Sequence, residues 1–207
     1  MRHAGTQTIE TERLLLRPLT PEDAPMMYAN WASDPEVTRW LRWDPHKNAA
    51  ETRELLDAWA LLYPNGDYYE WAIVEKTTGQ VFGTIGIFTS RSAEPEWDPW
   101  PGFDHTNGVW EVGYCIGRAW WNQGFTTEAL KAVVEYWFKN TDSNWLACCH
   151  AFENPASGRV QQKAGFVYDH DAEYHKFDGT PVACKCYALT RSHYKELYFE
   201  RTLQYFS

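Results

Sequence analysis

The chain has no apolar run approaching the roughly 18 residues of a membrane-spanning helix, so membrane association is not expected. Met1 to Glu10 is polar and lacks the apolar segment of a signal peptide. Positive charge is in deficit: 19 Lys and Arg stand against 28 Asp and Glu, a formal net charge of −9. A basic nucleic-acid footprint is therefore not expected, and a positively charged partner is easier to accommodate. Five cysteines is an odd count, and no Cys-x-x-Cys occurs. Cys115, Cys148, Cys149, Cys184 and Cys186 each lie in or beside a strand-like run. That favours reduced, buried thiols in a cytoplasmic protein over a disulfide framework. No internal repeat or low-complexity tract is present.

What is there is a globular composition: 44% hydrophobic and 23% charged residues. The 207 residues suit one domain with room for an elaborated loop. Aromatics are abundant, with 12 Trp, 12 Tyr and 10 Phe. They supply large buried area and indole N–H groups that need partners.

Strands are expected at 13–19, 70–75, 81–89, 109–116, 145–152, 166–174 and 182–190. Thr20-Pro21-Glu22-Asp23 carries an N-cap, a first-turn proline and a capping-box acid, predicting a helix to about Trp31. Asp34-Pro35-Glu36 repeats the signal for a short helix to about Leu41, and a third helix spans 48–62. Further helices are expected at 126–138 and from Asn154-Pro155 to Ala164, the latter closed by Gly165. The order predicts an α/β architecture: a mixed sheet with helices on both faces.

Three segments carry the chemistry. In the first, the strand Glu111-Val112-Gly113-Tyr114-Cys115-Ile116 runs through Trp120-Trp121-Asn122-Gln123-Gly124-Phe125 into a helix opening Thr126-Thr127-Glu128-Ala129. Unpaired N–H groups and the positive dipole end at a helix start make an anion site, and Gly124 lets the backbone approach the anion closely. The second segment is Asn154-Pro155-Ala156-Ser157-Gly158-Arg159-Val160-Gln161-Gln162-Lys163-Ala164-Gly165-Phe166. The third is Thr11-Glu12-Arg13-Leu14-Leu15-Leu16-Arg17-Pro18.

In this order and at these separations the segments resemble the GNAT acyltransferases, most nearly the ribosomal-protein N-terminal acetyltransferases of RimJ/RimL type. The resemblance covers residues 8–194 as a single domain, with 195–207 as a C-terminal extension. It implies a splayed central sheet and acetyl-CoA as acetyl donor. The pantetheine arm would pair with the backbone of Tyr114, Cys115, Ile116 and Gly117 like an added strand. The pyrophosphate would meet Asn122, Gln123, Gly124, Phe125, Thr126 and Thr127. Asn154 would touch the pantetheine, and Arg159 and Lys163 would meet CoA phosphate or form a solvated helix face. Two departures from the family pattern stand out. Asn122 replaces a glycine, a change that left-handed backbone tolerates, and Thr126 replaces a small residue, its hydroxyl donating to phosphate in the favoured reading and its bulk weakening binding in the alternative.

The resemblance also implies acetyl transfer to a primary amine by direct attack in a ternary complex. The acceptor would be a protein N-terminus or a small cationic amine. Glu111 matches the family's base position, the alternative being a surface glutamate. The tyrosine that many members use as acid is Gln161 here, so Ser157 is the candidate acid, the alternative being a hydroxyl bonded locally. A non-catalytic CoA-binding module is the competing function. Oligomeric state, a homodimer included, stays open. In the family sheet the strand of Cys184 and Cys186 lies beside that of Cys148 and His150, so four ligands could converge on zinc. Small side chains in a tight sheet are the favoured reading, and no metal is expected. Finally, residues 90–108 form a long loop with Glu94, Glu96, Asp98, Asp104, Trp97, Trp100 and Phe103. It is expected either to draw a cationic acceptor or to cap the core.

Overall fold

A computed structural model describes residues 1–90, 100 and 102–204. Its centre is an eight-stranded sheet of order β1-β2-β3-β4-β5-β6-β8-β7. The strands are β1 (Ile9–Glu10), β2 (Leu14–Arg17), β3 (Tyr69–Glu75), β4 (Val81–Ser90), β5 (Val109–Ile116), β6 (Trp145–Ala151), β7 (Val167–His175) and β8 (Pro181–Thr190). Every neighbouring pair is antiparallel except β5 and β6, which run parallel and register at Glu111 and Ala147 alone among the described residues. Seven strands fall where alternation and β-branched residues place them. The two-residue β1 is too short to show a period.

The helices are α1 (Ala24–Met27), α2 (Pro35–Thr38), α3 (Ala49–Ala60), α4 (Phe125–Asn140), α5 (Pro155–Lys163) and α6 (Arg191–Gln204). The first expected helix is less uniform than its pattern. It opens as a 3-10 turn at Pro21–Asp23, continues as α1 and widens into a π turn at Tyr28–Ala32. Asp34 caps the short α2 by accepting from Glu36 N, and Asn48 caps α3 by accepting from Glu51 N, each at 2.9 Å. Gly165, at φ +97°, closes α5 as Phe166 N–H returns to Gln161 O (3.1 Å). Helix α6 runs across position 194, where the sequence pattern places the end of the domain.

Three apolar clusters hold the layers. On one sheet face α4 presents Leu130, Val133, Val134 and Trp137 to Trp71, Ile85 and Val112. On the other, Met27, Trp31 and Leu56 cover Ala72, Val74 and Cys115. The third cluster joins Trp145, Cys184 and Cys186 with Trp100.

Beside the second cluster, Arg17 donates two bonds to Asp23, at 2.7 and 2.8 Å, and Thr20 N–H adds a third at 2.8 Å. Burial alone would raise the Asp23 carboxyl, but Arg17 and Thr20 together outweigh it and hold the group below its usual range. A carboxylate with a depressed folded-state pKa contributes stability above its unfolded pKa and loses it as pH falls. Asp23→Asn is expected to lower the unfolding free energy by about 2–4 kcal/mol at pH 7. The deficit should shrink as pH drops below about 4, as read from urea midpoints across pH. A pH-independent deficit would contradict the ionic role.

Candidate active site

Past Glu111, β5 and β6 part, and a cavity of about 590 Å³ opens there. Strand parity explains why it is lined from both faces of the sheet. Glu111, Gly113 and Cys115 share the face covered by α1 and α3, with Cys149 beside them on β6. Tyr114 and His150 point to the opposite face, where α5 brings Asn154 and Ser157. The cavity is therefore a passage through the sheet.

The same parting leaves strand-edge groups of β5 without a strand partner. Gly117 N–H donates to Phe82 O at 2.8 Å. Antiparallel alternation then turns the amides of Cys115, Gly113 and Glu111 toward β4 and those of Tyr114 and Ile116 toward the gap. Ile116 O accepts from the Trp121 indole at 3.0 Å. At the far end of the gap the 122–127 turn is exposed up to Gly124. Asn122 takes φ +60°, the left-handed conformation expected of it, and Gly124, at φ +81°, caps α4. Intrahelical bonding starts with Glu128 N–H to Gly124 O (3.0 Å), which leaves Phe125, Thr126 and Thr127 N–H outside the helix ladder.

Arg13 props this turn. It donates to Gln123 O (3.0 Å) and Glu128 Oε2 (2.7 Å), while its guanidinium covers Phe125. Glu128 Oε1 also accepts from Thr11 Oγ1 (2.6 Å) and Arg13 N (2.9 Å). An acid in the first turn of α4 would repel an anion, but Arg13 neutralises it. Sequence reasoning did not assign Arg13 to this turn, because only folding brings β2 to the start of α4.

Glu111 is 5% exposed, so the surface alternative is overturned. Its Oε1 accepts from the Cys149 thiol at 3.0 Å, and Oε2 is buried without a partner among the described residues. Burial pushes its carboxyl up, and the Cys149 bond and nearby Arg42 only partly offset this. Ser157 Oγ lies 2.9 Å from Tyr114 Oη, whose O–H is also within 3.1 Å of Ser157 O. Burial raises the Tyr114 phenol, which stays protonated and able to donate. Sequence reasoning used only the backbone of Tyr114, since the meeting of β5 with α5 is tertiary. Asn154 caps α5 by accepting from Ser157 N–H (3.3 Å). Arg159 and Lys163 are exposed on α5, and neither lines the cavity.

Two expectations need correction. Cys148 and His150 do not face Cys184 and Cys186. Register pairs Cys149 with Cys186 and Cys148 with Tyr187, so the four residues of the alternative zinc reading are split between opposite faces of the sheet. Trp100 presents no open ring to an acceptor. It is 1% exposed and packs edge-on to Phe103 at 5.9 Å and beside Trp145 at 5.5 Å. Phe103 in turn lies 4.5 Å from Trp145, so both aromatics cap the core. Glu94, Glu96, Trp97 and Asp98 lie outside the described residues, and Asp104 binds Thr106.

The family described as Acetyltransferase (GNAT) domain matches residues 13–167. The N-acetyltransferase p20 of Bacillus licheniformis is 29% identical over 193 residues, spanning 91% of this chain and 98% of that protein. A GNAT-family acetyltransferase from Bacillus anthracis has the same fold, with TM-score 0.71 at 18% identity over 90% of this chain and 99% of the other. RimL, a ribosomal alpha-N-protein acetyltransferase solved in complex with coenzyme A, gives TM-score 0.69 at 18% identity over 89% and 98%.

One cavity residue gave no sequence signal. Glu70 of β3 lines the same chamber, and burial pushes its carboxyl up to about 8, with Thr84 only partly opposing. Between its ordinary value of 4.5 and about 8, the folded chain keeps a proton that the unfolded chain has lost. Stability therefore falls as pH rises through that window. Glu70→Gln removes the penalty. It is expected to raise Tm over the parent by about 3–6 °C at pH 9 and by little at pH 5. A gap that stays constant across pH in differential scanning calorimetry would show that Glu70 titrates normally.

Proposed function

This chain belongs to the GNAT acetyltransferase family and is an N-acetyltransferase, and on that footing we propose that it moves the acetyl group of acetyl-CoA to a primary amine by direct attack in a ternary complex. The observation that carries the reading is a buried acid, Glu111, with one oxygen unpartnered among the described residues, in a cavity lined from both faces of the sheet. Donor and acceptor can enter from opposite sides and meet where β5 and β6 part.

The backbone supports the donor side. The edge amides of Tyr114 and Ile116 suit an extended pantetheine arm, added like a strand. The free N–H groups of Phe125, Thr126 and Thr127 suit a pyrophosphate, and the left-handed Asn122 and Gly124 keep that turn open. The coenzyme A complex of RimL is in keeping with this assignment. Acetyl-CoA supplies an acyl group already activated as a thioester.

The rest is proton handling by this chain. A lysine-like amine with pKa of about 10.4 is neutral in only about four molecules per ten thousand at pH 7. Glu111, with its raised affinity for a proton, is suited to take the proton that the amine gives up as nitrogen bonds to the carbonyl carbon. When the carbon–sulfur bond breaks, the departing sulfur needs a proton, and the Ser157–Tyr114 pair holds one on each hydroxyl. Tyr114 thus stands in for the phenol that is absent at Gln161. Burial pushes the Cys115 thiol up to about 11. The Cys184 contact, burial and Glu111 together raise Cys149. Neither cavity thiol is then a ready thiolate, which favours direct transfer over an acyl-cysteine.

Glu111→Gln keeps the shape and removes the base, so turnover should fall about 10²–10⁴-fold with acetyl-CoA affinity little changed. An unchanged pH–rate profile would move the base role elsewhere. Gly124→Val places a β-branched residue in left-handed backbone beside the Arg13 guanidinium. Its acetyl-CoA dissociation constant should rise at least about tenfold, the loss of one charge-assisted bond. Unchanged calorimetric binding in a folded variant would take the turn out of the site.

A further inference from the structure

The chamber on the α1/α3 face holds two carboxyls, and the proposed chemistry uses one. Register sets Glu70 opposite Gly86 on β4, and Gly86 opposite Gly113 on β5. The row across the sheet thus begins with an acid and continues through two residues without side chains. A methyl group at Gly86 would collide with Glu70 Oε2, so the glycine is what lets the carboxyl lie across β4 toward β5. Glu111 stands two residues from Gly113 on the same face. Strand spacing and rise put the Glu70 and Glu111 Cα atoms about 12 Å apart, with the Glu70 carboxyl lying over Gly86 between them.

Among the described residues, no cation acts on the Glu70 carboxyl. Burial and the Thr84 hydroxyl are what act on its carboxyl, and the nearby Cys115, Tyr63 and Tyr68 are all raised and neutral. Arg42 acts on Glu111 instead, and His150 lies on the far face of the sheet. The chamber lining is rich in aromatics, with Trp43, Trp59, Phe88, Tyr174 and Phe177 among its residues. Such walls suit an apolar spacer and the faces of ammonium groups.

From this arrangement we infer that Glu70 is a second acceptor-binding residue and that the acceptor is a short aliphatic diamine, one nitrogen meeting Glu111 for acetylation and the other held by Glu70. The inference rests on the acetyl transfer proposed above and names its substrate class. The nitrogen at Glu111 must become neutral to attack, while the one at Glu70 stays an ammonium and supplies the charge the pocket lacks. Binding would displace the proton that burial keeps on Glu70 near neutral pH.

The test compares diamines of three to six carbons with monoamines in which one amino group is replaced by methyl, using the parent protein, Glu70→Gln and Glu70→Asp. The parent should favour the best diamine at least about tenfold in kcat/KM. Glu70→Gln should bring that ratio near one through the diamine KM, with the acetyl-CoA KM unchanged. Glu70→Asp should shift the optimum to a diamine one carbon longer, which a merely structural role would not do. Calorimetry of putrescine into the CoA-bound protein, in buffers of different ionisation enthalpy, should show proton release near pH 7 for the parent and none for Glu70→Gln. An equal preference for monoamine and diamine, a preference that survives Glu70→Gln, or no diamine binding beside good N-terminal peptide acceptance would overturn the inference. If Glu70-dependent diamine binding persists but no acetyl is transferred, the subsite stands and the acetyl-transfer reading falls.

Discussion

The parting of β5 from β6 organises this molecule. Parallel neighbours normally pair along their length, satisfying each strand's outward amides. Here the described register ends where it begins, at Glu111 and Ala147. The parting opens a passage through an otherwise continuous sheet and turns the amides of Tyr114 and Ile116 toward it. Strand alternation then sorts the chemistry without further design. Odd positions of β5 send Glu111, Gly113 and Cys115 to one face, and even positions send Tyr114 to the other, where α5 delivers Ser157.

Such an opening has to be held apart, and the flanking structure does so by cross-linking distant elements. Arg13 at the edge of β2 ties Glu128 of α4 and the carbonyl of Gln123 into one network. That network fixes the turn at the far end of the gap and cancels an acid that would repel an anion there. Across the opening, Tyr174 O–H donates to Trp40 O at 2.7 Å and Phe177 N–H to Arg42 O at 2.8 Å. The β7–β8 turn is thereby fastened to the segment after α2. The walls of the chamber thus come from chain segments more than a hundred residues apart.

The chamber also carries a thermodynamic strain. Burial favours the neutral form of an acid and raises both Glu70 and Glu111, the latter against a partial offset from the Cys149 bond and Arg42. Each is a cost to the folded protein at high pH, and each is suited to the proton uptake and ammonium binding proposed for this site. Structural acids elsewhere are treated differently. Asp23 and Glu128 receive guanidinium and hydroxyl donors that overcome their burial and keep them charged. The contrast between partnered and unpartnered acids marks the chamber off from the rest of the molecule.

How much of this was legible beforehand follows the range of the interactions. Caps, turns and strand periods depend on residues a few positions apart. The cap at Asp34, the cap at Asn154 and the stop at Gly165 could therefore be read from the chain. The candidate roles of Glu111 and of the turn at Gly124 came through resemblance, because both are carried by one continuous segment. Register is different, since a shift of one residue sends a side chain to the opposite face. That is why Cys148 and His150 were expected beside Cys184 and Cys186 and lie behind the sheet instead, while Cys149 takes the place at Glu111. It is also why the Tyr114–Ser157 pair, the Arg13 prop and Glu70 gave no signal. Each depends on elements far apart in sequence meeting at one place, and Glu70 in particular reads as an ordinary strand residue until Gly86 and Gly113 are seen lying alongside it. The sequence by itself determined the elements and the local shape of the donor turn. Only the tertiary structure decided which side chains face one another across the opening, because that choice is made by strand register and helix packing and not by neighbouring residues.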